Sequence, residues 1–447
     1  MKKTSLLWCC CAVLMLAACG GGDEGGGGSP DSGTPGTPDS GTPSGTSITV
    51  RGKVVDGDGK VVGNASVLVL GLQPVTTDAS GAFSVAGVTT PYDIVAVNGS
   101  KQSAVVYKGV TRQDPTLSLT NPTSAPSYSA TVTGSVSGAA KPSATVSAPA
   151  VLFVSADGSS ETSTYDSAAS SFSTKPSWTG AATTTGSLFA IQGERTSASS
   201  TTYTKFTGFG RRDNVSLSNS ATVSNQNVTL SSVANSTLAG SITVPSGLTL
   251  LNNSVSLRFA PSTSVPLFSE TPSSNTFSYV VPVVAQSTFG FTAIALSSNF
   301  SSYSIVTKSD VAAGTNNLSL SLLVPPSPGL PADKATSVTR SSEFSWSSTP
   351  GGVNLVAFVQ RDSSGTATYT VTVVTTQTRT TIPDLSALGL ALPASASLSW
   401  MVQEISPLAS VDVLLSARGA SSEAPAGLTE FYISAAAART FTTSSTP

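Results

Sequence analysis

Cysteine and carboxylate side chains are the most reactive groups in this sequence, and their placement restricts the chemistry available. All four cysteines lie within the first 19 residues, and the 447-residue chain contains no histidine. The lack of histidine excludes Ser-His-Asp and Cys-His nucleophile systems, histidine metal sites and the usual general base near neutral pH. An enzyme built on this chain would have to use carboxylates, a Ser-Lys pair or tyrosine.

Three short motifs superficially match known sites. Residues Gly134–Gly138 read G-S-V-S-G, but Val136 stands where a nucleophile elbow needs serine. Residues 20–25 fit G-x-G-x-x-G only within low-complexity glycine, with no strand before them and no helix after. Asp56–Gly59 alternates carboxylates as a calcium loop does but lacks the distal bidentate glutamate, so we interpret it as a hairpin turn, with a weak ion site as the alternative. The sequence predicts no catalytic residue, no metal and no cofactor.

Charged residues make up only 10% of the chain, and the formal net charge is -2. This balance predicts no nucleic-acid partner, since such binding needs a concentrated basic surface. Two clusters, Glu194-Arg195 and Arg211–Asp213, are interpreted as solvated loop charges. Glu404 is expected to form a surface ion pair with Arg418.

The first 18 residues have the layout of a signal peptide. Lys2 and Lys3 form a positive start, and residues 6–18 form an apolar run. Thirteen apolar residues are too few to span a bilayer as a helix, so this segment is predicted to be removed rather than to act as an anchor.

Leu16, Ala17, Ala18 and Cys19 close this apolar run, and Gly20 follows. These residues resemble the lipobox of bacterial lipoproteins. The resemblance implies that a diacylglyceryl thioether is built on Cys19, that the peptide before it is removed, and that the new N-terminus is acylated. Several acyl chains hold a protein stably at a membrane, whereas a single chain is marginal. Gly20 after the cysteine suggests the outer membrane, facing either the periplasm or the outside.

Residues 19–47 are predicted to be the lipidated cysteine and a flexible linker. The segment is rich in Gly, Pro, Ser and Thr and has no large apolar side chain after Cys19. A flexible coil of this length reaches about 30 Å from end to end. The sequence therefore predicts a disordered tether that holds the folded part away from the membrane.

From residue 48 onward, short runs of Val, Ile, Thr, Phe and Tyr alternate with polar residues and are separated by Gly, Pro, Asn and Asp. This pattern predicts an all-β chain of β-sandwiches in series. In unit 1 (48–121), Asp78 is expected to cap a tight turn and Gly81 to take a positive φ, so that Phe83 points into the core. The motifs Val50–Asp56, Ala65–Val67, Thr77–Phe83 and Pro91-Tyr92 resemble the carboxypeptidase regulatory-like domain. This resemblance implies a transthyretin-like Greek-key sandwich of about seven strands without chemistry of its own, and we expect unit 1 to fold alone.

Two later segments repeat this plan and define unit 2 (129–232) and unit 3 (236–324). Thr131–Val136 and Thr237–Ile242 echo Thr49–Val54, and an interior phenylalanine and a closing strand follow in each case. The interior phenylalanines are Phe83, Phe172 and Phe277, and the closing strands are 116–119, 227–230 and 317–320. A generic β-sandwich of another lineage is the alternative for units 2 and 3.

Unit 4 (330–447) follows a proline-rich linker and differs in character. The strands predicted around Phe344–Trp346, Val353–Gln360, Tyr369–Val374 and Leu398–Val402 resemble a fibronectin type III domain. The resemblance places Trp346 in the core, and Trp400 is also predicted to be a core residue.

These observations favour a lipid-anchored protein of the cell envelope that acts as a stalk or interaction module, without catalysis. Its expected partners are the membrane, through the lipid anchor, and an envelope protein or a glycan. A carbohydrate or cell-wall binding module is the first alternative and would need exposed aromatic side chains on one face. A hydrolase with a carboxylate pair, using acids such as Glu194 and Glu404, is the second.

Overall fold

The computed structural model describes residues 47–57, 59–100, 102–119, 127–138, 150–155, 160–164, 170–179, 181–197, 200–259, 263–416 and 428–446. These residues form strands and two short 3₁₀ turns, Ser386–Leu388 and Val411–Leu415, and no α-helix occurs among them. The predicted all-β class of serial sandwiches is confirmed. None of the helical turns in these ranges is long and apolar enough to cross a membrane.

Unit 1 contains seven strands in two sheets. They are β1 (Ile48–Val55), β2 (Ser66–Val69), β3 (Val75–Thr76), β4 (Ala82–Val88), β5 (Tyr92–Val97), β6 (Ser103–Val110) and β7 (Thr116–Ser118). One sheet has the order β4-β1-β7, with β7 parallel to β1, and the other has the order β6-β5-β2-β3. The unit is therefore a seven-stranded sandwich.

Units 2 and 3 have the same strand order as unit 1. Unit 2 contains β8 (Ser127–Ser129), β9 (Thr131–Ser137), β10 (Ala150–Ser155), β11 (Ser160–Thr164), β12 (Ser171–Thr174), β13 (Ser177–Thr179), β14 (Thr183–Glu194), β15 (Lys205–Ser218), β16 (Thr222–Val223) and β17 (Val228–Thr229). Unit 3 contains β18 (Ala234–Thr243), β19 (Leu248–Phe259), β20 (Thr263–Glu270), β21 (Thr276–Val283), β22 (Ser287–Ser297), β23 (Tyr303–Val311) and β24 (Leu318–Ser321). The two sheets of unit 2 have the orders β12-β9-β16 and β15-β14-β10-β11. The two sheets of unit 3 have the orders β21-β18-β24 and β23-β22-β19-β20. Both pairs of orders match those of unit 1.

A glycine lies opposite a buried phenylalanine in all three units. The cross-strand pairs are Gly52 with Phe83, Gly134 with Phe172, and Gly240 with Phe277. All three rings are buried. A Cβ atom on Gly52 would lie 2.5 Å from Cζ of Phe83, and one on Gly134 would lie 2.9 Å from Cε1 of Phe172. In these two units the ring occupies the space that a side chain opposite it would need.

The predicted turn before Phe83 is confirmed. Asp78 Oδ1 accepts hydrogen bonds from Ser80 N (2.8 Å), Ser80 Oγ (2.7 Å) and Ala82 N (2.9 Å). The bond from the Ser80 hydroxyl, followed by that from the Ala82 amide, holds the pKa of Asp78 below its usual value. Gly81 has a φ of +73°. Unit 4 forms the same turn at Asp362, whose Oδ1 accepts bonds from Ser364 and Thr366.

Unit 4 has a different plan. Its strands are β25 (Ser327–Pro328), β26 (Ala335–Val338), β27 (Phe344–Ser347), β28 (Val353–Arg361), β29 (Ala367–Thr375), β30 (Arg379–Thr380), β31 (Ser397–Ser406), β32 (Glu430–Ala435) and β33 (Arg439–Thr443). The ring of Phe344 meets Phe358, Trp400 and Phe441 edge-on, with centroids 4.7, 5.2 and 5.3 Å away. Trp346 and Trp400 are buried, as predicted.

Unit 4 joins units 1 and 3 into one 14-stranded sheet. Strand β29 pairs in parallel with β6 of unit 1, and β32 pairs antiparallel with both β31 and β23 of unit 3. The path through the sheet runs β20-β19-β22-β23-β32-β31-β28-β29-β6-β5-β2-β3. The spatial order of the units in this sheet is therefore 3, 4, 1.

Unit 1 also shares its core with unit 4. Val353, Leu355, Leu408, Val411 and Leu415 pack with the buried residues of unit 1. Side chains of unit 4 thus form part of the core of unit 1. That residues 48–121 fold alone stays a prediction.

We predict that Phe83→Ala destabilises the protein by about 3 to 5 kcal/mol, because it leaves a cavity beside Gly52 that the strands cannot fill. The measurement is the urea midpoint and slope of the purified protein. Phe300→Ala is the matched control, since the Phe300 side chain is 43% exposed. An equal loss of stability in the two variants would contradict the proposed packing.

Candidate functional site

The residues of the predicted anchor, Leu16, Ala17, Ala18 and Cys19, lie outside the described residues, as does the tether. The sites that the structure can place are the charge clusters, the Asp56 turn and the tryptophans.

Asp56 serves the hairpin turn. Its carboxylate Oδ1 accepts a hydrogen bond from Lys60 N at 2.9 Å, and its main-chain oxygen accepts one from Gly59 N at 3.0 Å. The side chain is 1% exposed. Asp58 lies outside the described residues. No group of three or more Cys, Asp or Glu side chains suited to a metal occurs among the residues that the structure describes.

The cluster Arg211–Asp213 lies within strand β15, not in a loop as expected from the sequence. Arg211 Nε donates to Asp213 Oδ1 at 2.5 Å, and Ser187 Oγ donates to the same oxygen at 2.6 Å. Burial tends to raise the pKa of Asp213, but these two hydrogen bonds outweigh it and the pKa is lowered. Asp213 is therefore ionised and internally paired at neutral pH.

Arg211 also connects units 2 and 3. Its Cζ atom lies 5.4 Å from the ring centroid of Phe189 in unit 2 and 5.1 Å from that of Phe259 in unit 3. The two rings are stacked with centroids 5.7 Å apart. A guanidinium over aromatic faces at this range is attracted by the ring quadrupoles. Arg211 is thus better explained as part of the contact between the two units than as a binding group for a partner.

The cluster Glu194-Arg195 marks the end of β14. Arg195 Cζ lies 4.6 Å from the ring centroid of Tyr203, and its Nη2 donates to the Tyr203 hydroxyl at 3.2 Å. Tyr203 in turn stacks on Phe206 with centroids 4.4 Å apart. The arginine therefore packs against its own unit.

Glu404 is buried rather than on the surface, which corrects the expected surface ion pair. It lies on β31 and is 1% exposed, and its Oε2 accepts a hydrogen bond from Thr349 N at 3.2 Å. Burial raises the pKa of its carboxyl group. Arg418, the expected partner, lies outside the described residues. Glu194 and Glu404 belong to different sheets, so these two acids do not form a pair across a common site.

The three tryptophans in the described parts of the chain have no exposed face to offer a sugar. Trp178, Trp346 and Trp400 are 3%, 5% and 1% exposed.

A depression of about 350 Å³ between units 2 and 3 is lined by Thr204, Lys205, Asn235, Ser236, Thr237 and Val280. Lys205 is the charged residue of that lining, and no carboxylate belongs to it.

Sequence reasoning missed a line of polar residues that point into the interior. Asn354, Glu404, Ser434 and Ser304 are each 1% exposed or less. Asn354 and Glu404 alternate with apolar residues of their strands, a signal that places them inward only once the packing of both faces of the sheet is known.

Comparisons with known proteins give no family. No protein-family model and no curated protein match the chain. Similar solved structures include the TIE protein of Bacillus anthracis, with 10% identity over 62% of this chain and 50% of that chain and a TM-score of 0.14. The pilus adhesin SpaC from Lactobacillus rhamnosus GG, in its open conformation, has 10% identity over 62% of this chain and 43% of that chain, with a TM-score of 0.13. The match thus spans half or less of each of these proteins, and at these TM-scores the likeness carries no argument.

We predict that Arg211→Ala lowers the stability of the contact between units 2 and 3 by about 1 kcal/mol, the usual size of a partly exposed cation–π interaction. Arg212→Ala, the neighbouring exposed arginine, should change stability by less than about 0.5 kcal/mol. Thermal unfolding of the two variants side by side provides the measurement. Identical unfolding midpoints in the two variants would contradict a role for Arg211 in stabilising the contact between the units.

Proposed function

We propose that this chain is a lipid-anchored, extracytoplasmic β-sandwich protein that acts as a stalk or interaction module at the cell envelope, without catalysis. The observation that carries the anchor is the sequence Leu16-Ala17-Ala18-Cys19 after a short apolar run, followed by a Gly/Pro/Ser/Thr-rich tether. By the resemblance to lipoproteins, the acyl chains are attached to Cys19. Gly20 supports the outer membrane as the location.

The architecture supports a role in presenting loops that bind a partner. Units 1 and 3 join unit 4 in a continuous sheet, and unit 2 packs on unit 3 through aromatic contacts, so the loops of all four units are held on connected sandwiches and are available to a partner. Of the charge clusters described above, Asp213 is paired with Arg211, Arg195 packs on Tyr203, and Arg211 packs on rings of units 2 and 3. The carboxypeptidase regulatory-like and fibronectin type III resemblances stay part of this proposal, and both are consistent with modules that carry no chemistry of their own.

The competing functions have less support. A carbohydrate-binding module needs exposed aromatic faces, and the three described tryptophans are buried. A carboxylate-pair hydrolase needs two acids at one cleft, and Glu194 and Glu404 lie on separate sheets.

We predict that Cys19→Ala abolishes metabolic labelling with palmitate and leaves the precursor unprocessed by the lipoprotein signal peptidase, because the modified thiol is missing. Cys11→Ala is the matched control and should be labelled and processed like the wild type. Gel mobility and autoradiography of the membrane fraction give the readout. Palmitate label that persists in Cys19→Ala would contradict the anchor.

Turnover by the purified protein tests the second half of the proposal. Hydrolysis of a glycan, ester or peptide that is lost on replacing a single carboxylate would overturn the non-catalytic assignment while leaving the anchor intact.

A further inference from the structure

A row of buried polar side chains crosses the 14-stranded sheet where units 3 and 4 meet. We call this junction the seam. In register across adjacent strands, Asn354 on β28 faces Glu404 on β31, Glu404 faces Ser434 on β32, and Ser434 faces Ser304 on β23. Each is 1% exposed or less. Asn354 Oδ1, Glu404 Oε1, Ser434 Oγ and Ser304 Oγ have no hydrogen-bond partner. Buried polar atoms are normally paired, so this row needs an explanation.

The two oxygens of the Asn354–Glu404 pair are fixed by their neighbours. The Asn354 amide Nδ2 donates to Gln377 O at 3.2 Å, which leaves Oδ1 as the free acceptor. Thr349 N donates to Glu404 Oε2, which leaves Oε1 as the free oxygen of the carboxyl group. An ionised Glu404 would therefore leave Oε1 as a buried, negatively charged oxygen with no donor, whereas a proton on Oε1 removes this charge.

No charged group in the described part of the chain compensates an ionised Glu404. The groups that face it are Asn354 from β28, Ser434 from β32, and Thr349 and Gly352 from the segment before β28. All of these groups are uncharged. The ion pairs described in the structure do not include Glu404.

The nearest charged pair along the same face of β32 is already satisfied. Lys308 Nζ contacts Glu430 Oε2 at 2.6 Å, and Tyr432, which lies between this pair and Ser434, donates its hydroxyl to Glu430. The Tyr432 pKa is raised by burial and by Glu430, so the phenol stays neutral. A methyl group at Gly352 would lie 2.7 Å from Glu404 Oε1, so the segment before β28 closes over this oxygen. An isolated carboxylate here would be costly to bury.

We propose that Glu404 is a pH-sensitive element of the seam: in the folded protein its Oε1 carries a proton, and release of this proton to solvent loosens the pairing of β31 with β28 and β32. The function proposed above does not require this element. A failure of either proposal would leave the other intact.

The sign of the pH effect follows from linkage. Burial raises the pKa of Glu404 above its ordinary value of 4.5, so the folded protein holds this proton where the unfolded chain has released it. The stabilising contribution is complete below pH 4.5 and is lost as the pH rises through the raised value. The seam is therefore tightest in acid.

The test is Glu404→Gln in the full chain, because glutamine keeps the shape and cannot ionise. The denaturant midpoint of the wild type should fall as the pH rises from acid to mildly alkaline, relative to Glu404→Gln. Hydrogen exchange in β31 and β32 should be faster in the wild type than in the variant at alkaline pH and equal in acid. Glu343→Gln is the matched control, since the Glu343 side chain is 49% exposed in the same unit and should leave the pH profile unchanged.

Carbon-13 NMR of glutamate carboxyl groups gives an independent readout on the wild-type chain, even if Glu404→Gln fails to fold. One resonance should remain protonated after the exposed glutamates have ionised, and it should be absent in Glu404→Gln. The proposal is overturned if every glutamate carboxyl ionises in the ordinary range, or if wild type and Glu404→Gln share one pH profile of stability and exchange.

Discussion

The structure depends on one constraint: the unpaired backbone N–H and C=O groups of the edge strands need hydrogen-bond partners. Each of units 1 to 3 has a four-stranded sheet with β6, β15 or β23 at one edge, and an unpaired edge is a site for aggregation. Strand β29 pairs with β6, and β32 pairs with β23. In unit 2, part of β15 is covered instead by the following linker, through two main-chain bonds between Phe209 and Ser231 of 3.0 and 2.9 Å. Unit 4 thus serves as the connector that closes two of these edges.

Hydrophobic packing supplies the stability that covalent links and charges do not. The part of the chain after Cys19 has no cysteine and so no disulfide. Aromatic contacts take that role between units 2 and 3, where Phe189 and Phe209 meet Phe259, and Arg211 covers the Phe189 and Phe259 rings.

Local features of the fold could be predicted from the sequence, whereas contacts between distant segments could not. The Asp78–Gly81 turn and the burial of Phe83 follow from residue types that encode a turn. The strand motif Thr49–Val54 and its echoes Thr131–Val136 and Thr237–Ile242, each followed by an interior phenylalanine and a closing strand, predicted three similar units. The parallel pairing of β29 with β6 joins segments far apart in the chain, and alternation within a strand does not specify such a partner. Glu404 was misplaced because an acid at an inward position reads as a surface residue unless its neighbours across the sheet are known.

The central claim is that unit 4 joins units 1 and 3 through one sheet, and a distance measurement tests it most directly. Tyr107, Val374, Leu355, Gln403, Ala435 and Tyr303 follow one another in register from β6 to β23. Five strand spacings of about 4.8 Å place the ends of this row about 24 Å apart. Residues 20–447 contain no cysteine, so spin labels can be placed at Lys108 and Ser302, beside the two ends. Pulsed electron paramagnetic resonance should give one narrow distribution near this distance. A broad distribution, or one centred far beyond it, would show that the units are independent and would contradict the continuous sheet.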